Sequence, residues 1–310
     1  MKILGIGNAI VDVICKVEDS FLQENSLTKS TMKLVDGNEL NRLLSNLKIE
    51  ETVSGGSVAN SIVGLSQLGN KVGFIGKVSD DDFGRKYEEG LEKENIQYFY
   101  KKKKESLPTG TCLILVTPDS ERTMITFLGT AGKIHGDDID LNAVKKSEIL
   151  FLEGYLWDEG APKEAFDKAI NNANKVAMSL SDLFCVERHK KSFLNLVKNK
   201  LDITFANQQE IMSLLGTNQF EEVIDFAKKT GRLILITRGE KGSLAIKGDE
   251  VLECYAEKNL KIVDLTGAGD LFAGGFLHGY INGKSIKESL KKGTEMSSKV
   301  IQIIGARLNR

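Results

Sequence analysis

Two aspartates, a threonine and three small residues are spaced along Asp264-Leu265-Thr266-Gly267-Ala268-Gly269-Asp270 in a way that suits phosphate transfer. The run before them, Leu260 to Asp264, reads as a short strand. The run after them, Leu271 to Ile281, can form a helix carrying Leu271, Phe272, Phe276, Leu277 and Tyr280. The turn between is then a helix N-terminus. There the N–H groups of Gly267, Ala268 and Gly269 lack intrahelical partners, and with the helix dipole they favour an anion such as a transferring phosphoryl group. Asp270, at the mouth of that anion hole, can accept the proton of a substrate hydroxyl as it attacks phosphorus. An ordinary glycine turn followed by a dipole-favoured aspartate would produce the same tetrapeptide, so other residues must decide.

Several segments offer complementary chemistry, each with a plainer alternative. Asp12 closes Gly7 to Asp12 after the first strand, where its two acceptor oxygens can bind two sugar hydroxyls or simply end a strand. Gly55 and Gly56, in Ser54 to Asn60, make either a flexible turn or a hinge where backbone approaches a ligand. Asn207 and Glu210 have the spacing of a reciprocal helix cap. Thr237, Gly239 and Gly242 follow the buried-type run Leu233 to Ile236 and suit a turn into another strand. Arg122, beside Glu121, reads in isolation as a surface charge, although phosphoryl transfer needs positive charge and Asp264 to Asp270 supplies none.

Taken together, Asp264, Thr266, the three small residues and Asp270 resemble the signature of the ribokinase and adenosine kinase family, the PfkB carbohydrate kinases. The resemblance extends along nearly the whole chain. It implies ATP as phosphoryl donor with Mg²⁺, Asp270 as base, and Gly267, Ala268 and Gly269 as anion hole. It further implies that Asp12 and Asn60 hold the sugar hydroxyls and that Gly55 and Gly56 let a lid close. Asn207 and Glu210 match the family's NxxE motif, which organises magnesium and phosphate, and capping can hold at the same time. Thr237, Gly239 and Gly242 become ATP-site residues, and Arg122 matches an arginine that reaches the phosphate in adenosine kinases. Asp264 and Thr266 match positions around a K⁺ site in some members. Glu153 falls near a position that touches sugar, and Leu152 to Asp158 with Ser181 to His189 look closest to bacterial adenosine kinase-like members. The expected acceptor is adenosine or another purine nucleoside, with Phe127 packing on the base. Ribose, fructose or a related sugar is the alternative, and a non-catalytic nucleoside- or sugar-binding regulator is a third reading that the retained Asp270 disfavours.

The elements that must position these residues follow a βα rhythm. Strands are expected at Ile3 to Ile6, Val72 to Ile75, Ile149 to Leu152, Val176 to Leu180, Ile203 to Phe205 and Leu233 to Thr237, with helical patterns between most of them. This predicts an α/β fold with a doubly wound, mostly parallel sheet and helices on both faces. Thr111 to Phe127 reads as two β-rich runs around Pro118-Asp119-Ser120, and Ile14 to Val35 is poor in helical pattern. The resemblance makes these a small β-sheet lid, from about 14–48 and 107–129, within a single domain spanning 1–310. A hairpin is expected at Ser243 to Cys254 around Gly248-Asp249.

Length and composition agree: 310 residues and 41% hydrophobic content support a substantial core. A net charge of -1 argues against a nucleic-acid or membrane surface as main partner. The basic run Lys101 to Lys104 precedes Glu105 and reads as a solvated loop. Cys15, Cys112, Cys185 and Cys254 form no CxxC pair, which fits a reducing cytoplasm. No apolar run reaches the ~18 residues of a membrane span. Gly279 to Ser285 has one residue too few between its glycines for a P-loop, and Ile10 stands where a dinucleotide fingerprint needs its third glycine. A small-molecule acceptor and a monomer or homodimer are expected.

Overall fold

The short apolar runs become strands packed on both faces. The computed structural model describes residues 1–101, 103–119 and 121–308. In chain order its strands are β1 (Ile3–Ile6), β2 (Ile10–Lys16), β3 (Met32–Leu34), β4 (Glu51–Gly55), β5 (Val72–Ile75), β6 (Gln97–Tyr98) and β7 (Gly110–Val116). They continue with β8 (Arg122–Phe127), β9 (Ile149–Glu153), β10 (Val176–Ser179), β11 (Ile203–Asn207), β12 (Leu233–Thr237), β13 (Ser243–Lys247) and β14 (Glu250–Cys254). Among the described residues a nine-stranded sheet runs β14-β13-β12-β11-β10-β9-β1-β5-β6, and a second sheet runs β3-β8-β7-β2-β4. Pairing in the large sheet is parallel from β6 to β12 and antiparallel only for β13 and β14. Every residue of β1, β5 and β9 is buried, as a sheet covered by helices on both faces requires.

Strand order reverses between β1 and β9, which opens a crevice beyond their C-terminal ends. The helix Ser57–Gln67 covers β1 so closely that Gly5 is obligatory, since a Cβ there would lie 2.8 Å from Val58 and Ile62. The helix Ala268–Ile281 is seated by glycines in the same way: added Cβ atoms would lie 3.0 Å from Ser61 O at Gly274 and 2.6 Å from Lys292 O at Gly275. Close approach of these helices sets the distance across the crevice.

The small sheet is wider than the 14–48 span. It begins at Ile10 and takes in Glu51–Gly55. Its strands alternate: Val11, Val13, Leu113, Leu115 and Ile125 join the main core, while Ile10, Cys112, Ile114, Met124 and Leu128 form an apolar surface on the opposite face. Asp81, in Val78 to Gly84, caps the helix Asp82–Lys93 and also accepts from Thr109 N and Oγ1, which ties the base of the β7–β8 hairpin to the body.

Two sequence expectations change and a third is met. Leu260 to Asp264 is not a strand; Val263 and Asp264 donate only to the carbonyl of Ile301, and Ile262 and Leu265 are exposed. Ile14 to Val35 contains a helix, Asp19–Glu24, too short to generate a periodic pattern. The hairpin at Gly248 forms, with φ +55° at Gly248 in the first central position. Of the β7–β8 turn, Ser120 lies outside the described residues, as does Lys102 of the basic run; Lys101, Lys103 and Lys104 are exposed.

Candidate active site

The chain reaches the helix Ala268–Ile281 through Gly267, whose φ of +79° is left-handed and available to glycine without strain. No side chain caps this helix. Gly269 and Asp270 N–H have no acceptor among the described residues, and an added Cβ at Gly269 would meet nothing within 4 Å. The hole is narrower than the sequence suggested, because Ala268 N–H is spent on Leu265 O at 3.2 Å. Two free amides and a helix dipole remain to face an anion.

Asp270 stands in the first turn of that helix and is fixed at both oxygens. Ser57 Oγ donates to Oδ1 at 2.6 Å and Asn60 Nδ2 to Oδ2 at 2.9 Å. Burial raises its pKa to about 6, against the opposing pull of these two hydrogen bonds and of Arg307. A carboxylate poised there is ionised at neutral pH yet basic enough to receive a proton.

Asp12 projects from β2 into the same cleft, a cavity of about 690 Å³ that also receives Asn60, Asp270 and the Gly267 turn. Burial lifts Asp12 to about 7, opposed by Arg307 and Arg122 and reinforced by Asp270. Gly55 is required beside it: an added Cβ would lie 2.4 Å from Asp12 Oδ2. Gly56 has φ +104° and would drive a Cβ to 2.2 Å from Asn8 O. The glycine pair therefore lets β4 pass the carboxylate and turn at once into the helix Ser57–Gln67.

Glu153 lies at the end of β9 and lines the cleft, but its oxygens are committed. Oε1 accepts from Asn8 N and Nδ2, and Oε2 from Val58 N at 2.9 Å. It ties the ends of β1 and β9 to the helix start while lining the cleft in which a sugar contact was expected. Burial carries its pKa to about 7 against those hydrogen bonds. Gly7 is small for the same reason, since a Cβ would sit 2.4 Å from Glu153 Oε2.

Arg122 is not a surface charge. It is mostly buried and its Nη1 is 3.2 Å from Asp264 Oδ2. Asp264 also accepts from Thr266 N at 2.9 Å and Gly305 N at 2.8 Å. Burial works to raise Asp264, but the hydrogen bonds and Arg122 outweigh it and hold the carboxyl below its usual range. Asp264 and Thr266, the two residues expected around a potassium ion, are thus adjacent, with the Asp264 carboxylate held by Thr266 N, Gly305 N and Arg122.

Asn207 and Glu210 form the reciprocal cap that their spacing announced. Asn207 Oδ1 accepts from Glu210 N, and Glu210 accepts from Asn207 N and Nδ2. Both line the cleft with Thr237. Burial lifts Glu210 to about 7. Gly239 and Gly242 are not among the lining residues; a Cβ at Gly242 would lie 2.1 Å from Cys254 O, so this glycine serves the β13–β14 hairpin. No group of three or more His, Cys, Asp or Glu suited to a metal occurs among the described residues.

Phe127 falls on the other face of the small sheet. It shares strand parity with buried Thr123 and Ile125, and its ring lies 3.5 Å from where a Cβ on Gly37 would be. From the small sheet and its ends, the apolar side chains facing the cleft are Met124, Leu128, Ile10, Cys112 and Ile114, with Met32 and Leu34 also lining it; Trp157, Phe184, Phe205 and Phe272 line it from the body. Strand alternation places Met124 and Leu128 on the face of Arg122, whereas Ile10, Cys112 and Ile114 join it only through the register of the paired strands. Ser57 was visible beside Asn60 in the glycine segment. Arg307 carried no sequence signal: its Nε donates to Asn60 Oδ1 at 2.9 Å from a segment remote in sequence.

Comparison with known proteins agrees with this geometry. The chain is 36% identical to the adenosine kinase of Sinorhizobium meliloti, whose crystal structure matches with TM-score 0.90 over 100% of this chain and 96% of that one. It is 37% identical to a probable sugar kinase protein from Rhizobium etli CFN 42, with TM-score 0.89 over 99% of this chain and 94% of that one. By sequence it is 28% identical over 282 residues to the 5-dehydro-2-deoxygluconokinase of Listeria innocua, covering 85% of this chain and 86% of that protein. The model of the pfkB family carbohydrate kinases matches residues 2–310, and the chain belongs to that family of phosphotransferases acting on an alcohol group.

Proposed function

We propose that the protein transfers the γ-phosphoryl group of ATP to the hydroxymethyl group of a ribose-containing nucleoside, adenosine first. The observation that carries this reading is Asp270, held by Ser57 and Asn60 beside free helix amides and facing the same cleft as Asp12. In this reading Asp12 accepts hydrogen bonds from the ribose diol, and Asp270 takes the proton of the attacking hydroxyl. Gly269 and Asp270 N–H receive the charge that develops on the phosphoryl oxygens. Arg122, paired with Asp264, supports positive potential on the donor side.

The family works with ATP and a divalent metal, and here that metal is taken to be Mg²⁺. The residues fit a metal carried on phosphate and water: Glu210 and Asn207 face the cleft, while no cluster among the described residues supplies a full ligand set. When bound, Mg²⁺ would neutralise charge on the donor phosphates.

The preference for a nucleoside rests on the small sheet, which we read as a lid. Its cleft-facing side chains beside Asp12 are Ile10, Cys112, Ile114, Met124 and Leu128, with Thr126 as a hydroxyl in the Asp12 row. A purine gains contact from such a surface, whereas the hydroxyls of an open polyol would be desolvated without partners. A sugar as acceptor is the second reading, favoured by the 5-dehydro-2-deoxygluconokinases among the sequence relatives. Phosphorus NMR of a reaction with Mg-ATP and adenosine tests the first reading. One 5′-phosphomonoester should appear per ADP; ADP with no organic phosphomonoester would reduce the activity to ATP hydrolysis.

A further inference from the structure

After the helix Ile286–Val300 the chain turns back to the cleft and is held at successive points. Ile301 O accepts from Val263 and Asp264, and Gly305 N donates to Asp264 Oδ2. Ala306 packs against Gly267, where an added Cβ would lie 2.6 Å from Ala306 Cα, and Leu308 O accepts from Gln67 Nε2 at 3.2 Å. This docking delivers Arg307 to the back of Asn60. Because Nε occupies Asn60 Oδ1, the amide is oriented with Nδ2 towards Asp270 Oδ2.

The same guanidinium acts electrostatically on Asp12 and Asp270, and Tyr87 and Glu94 act on it in turn. Its Nη2 is buried without an acceptor among the described residues. A buried cation with an unpaired donor costs stability, so fold stability alone does not account for its placement.

We propose that Arg307 is a positioning residue for phosphoryl transfer: it sets the amide of Asn60 that orients Asp270, and its charge offsets the two carboxylates facing the acceptor. The proposal rests on Asp270 as general base. The charged and titratable groups acting there are Asp12 from β2, Glu153 from β9, Asp270 itself and Arg307, with Arg122 from β8 and Cys112 from β7 beside Asp12, Tyr155 beyond β9 towards Asp270, and Tyr87 and Glu94 beside Arg307. Burial raises Asp12 and Asp270, and Arg307 opposes both rises. Removing it raises them further, so the ionised base is lost at higher pH.

The test compares Arg307→Met and Arg307→Lys with the wild type in pH–rate profiles and in carbon-13 NMR titrations of the aspartate carboxylates, assigned with Asp12→Asn and Asp270→Asn. Arg307→Met should move the acidic limb of kcat/KM upward by about one pH unit or more and lower kcat at pH 7 by ~10-fold or more. Arg307→Lys keeps the charge without the Nε geometry, so its limb should stay near that of the wild type while kcat still falls. A folded Arg307→Met whose profile and titrations superimpose on the wild type overturns the proposal. Should Arg307→Met not fold, Arg307→Lys decides: wild-type kcat and KM overturn the proposal, and a lower kcat at an unmoved limb supports it. Failure of the kinase reading is seen separately, as no ADP formation by the wild type with any acceptor; the carboxylate titrations then still judge the effect of Arg307.

Discussion

Asp270 is held by one hydroxyl and one amide, and that combination makes an informative substitution feasible. In Asp270→Asn the new oxygen can accept from Asn60, and the new amide can donate to Ser57, whose hydroxyl both donates and accepts. Both contacts survive while the base is lost. The variant should fold and bind nucleotide but lose roughly 10² to 10⁴ in kcat, the range for a positioned general base. Steady-state kinetics and nucleotide calorimetry on the purified variant check this, and near wild-type turnover would remove Asp270 from the mechanism. The wild type should also lose activity as pH falls from about 7 through about 6, since Asp270 and Asp12, raised by burial to about 6 and about 7, must be ionised to act. Both line one cleft and both are required, so the limb reports the two together. This much was legible in the sequence because glycine spacing and an aspartate at a helix start are local signals. The occupancy of Glu153 by Asn8 and Val58 was not, because it depends on partners brought together only by folding.

At the scale of elements, the proposed function makes the small sheet the part that chooses the acceptor. Cleft-facing Met124 pairs with Ile114, and Thr126 with Cys112, while the intervening Ile125 goes to the core. Met124→Ser removes apolar contact without opening the core behind it. It should raise KM for adenosine by ~5- to 10-fold, from about 1 to 1.5 kcal/mol of lost apolar burial, and leave KM for ATP within about 2-fold. Equal losses for both substrates would mean that the sheet serves folding and not acceptor choice. The two strands of this hairpin were legible from β-rich runs around a proline turn. The cleft-facing parity was misassigned at Phe127, because alternation fixes only relative faces until the register and the covering elements are known. The helix Asp19–Glu24 and the extended path at Leu260 to Asp264 escaped for related reasons: one is shorter than a detectable period, and the other has strand-like composition without a strand to pair with.

Across the whole molecule, the parallel strands were readable because burial on both faces writes continuous apolar runs, and β1, β5 and β12 match their expected bounds. The long-range connections were not readable: Arg307 reaches Asn60, and Gly305 reaches Asp264, through contacts that no local pattern encodes. What the assembled cleft adds is a combination: Asp270 at the helix start, and Asp12 set among the apolar side chains of the small sheet, which we read as general base and diol ligand. The central claim is that this combination selects a nucleoside. A coupled ADP-release assay over adenosine, inosine, ribose, fructose and 2-keto-3-deoxygluconate tests it most directly. The account predicts the highest kcat/KM for adenosine, with activity lost in Asp270→Asn. A free sugar exceeding every nucleoside by about tenfold, ~1.4 kcal/mol of transition-state preference, would contradict the nucleoside assignment.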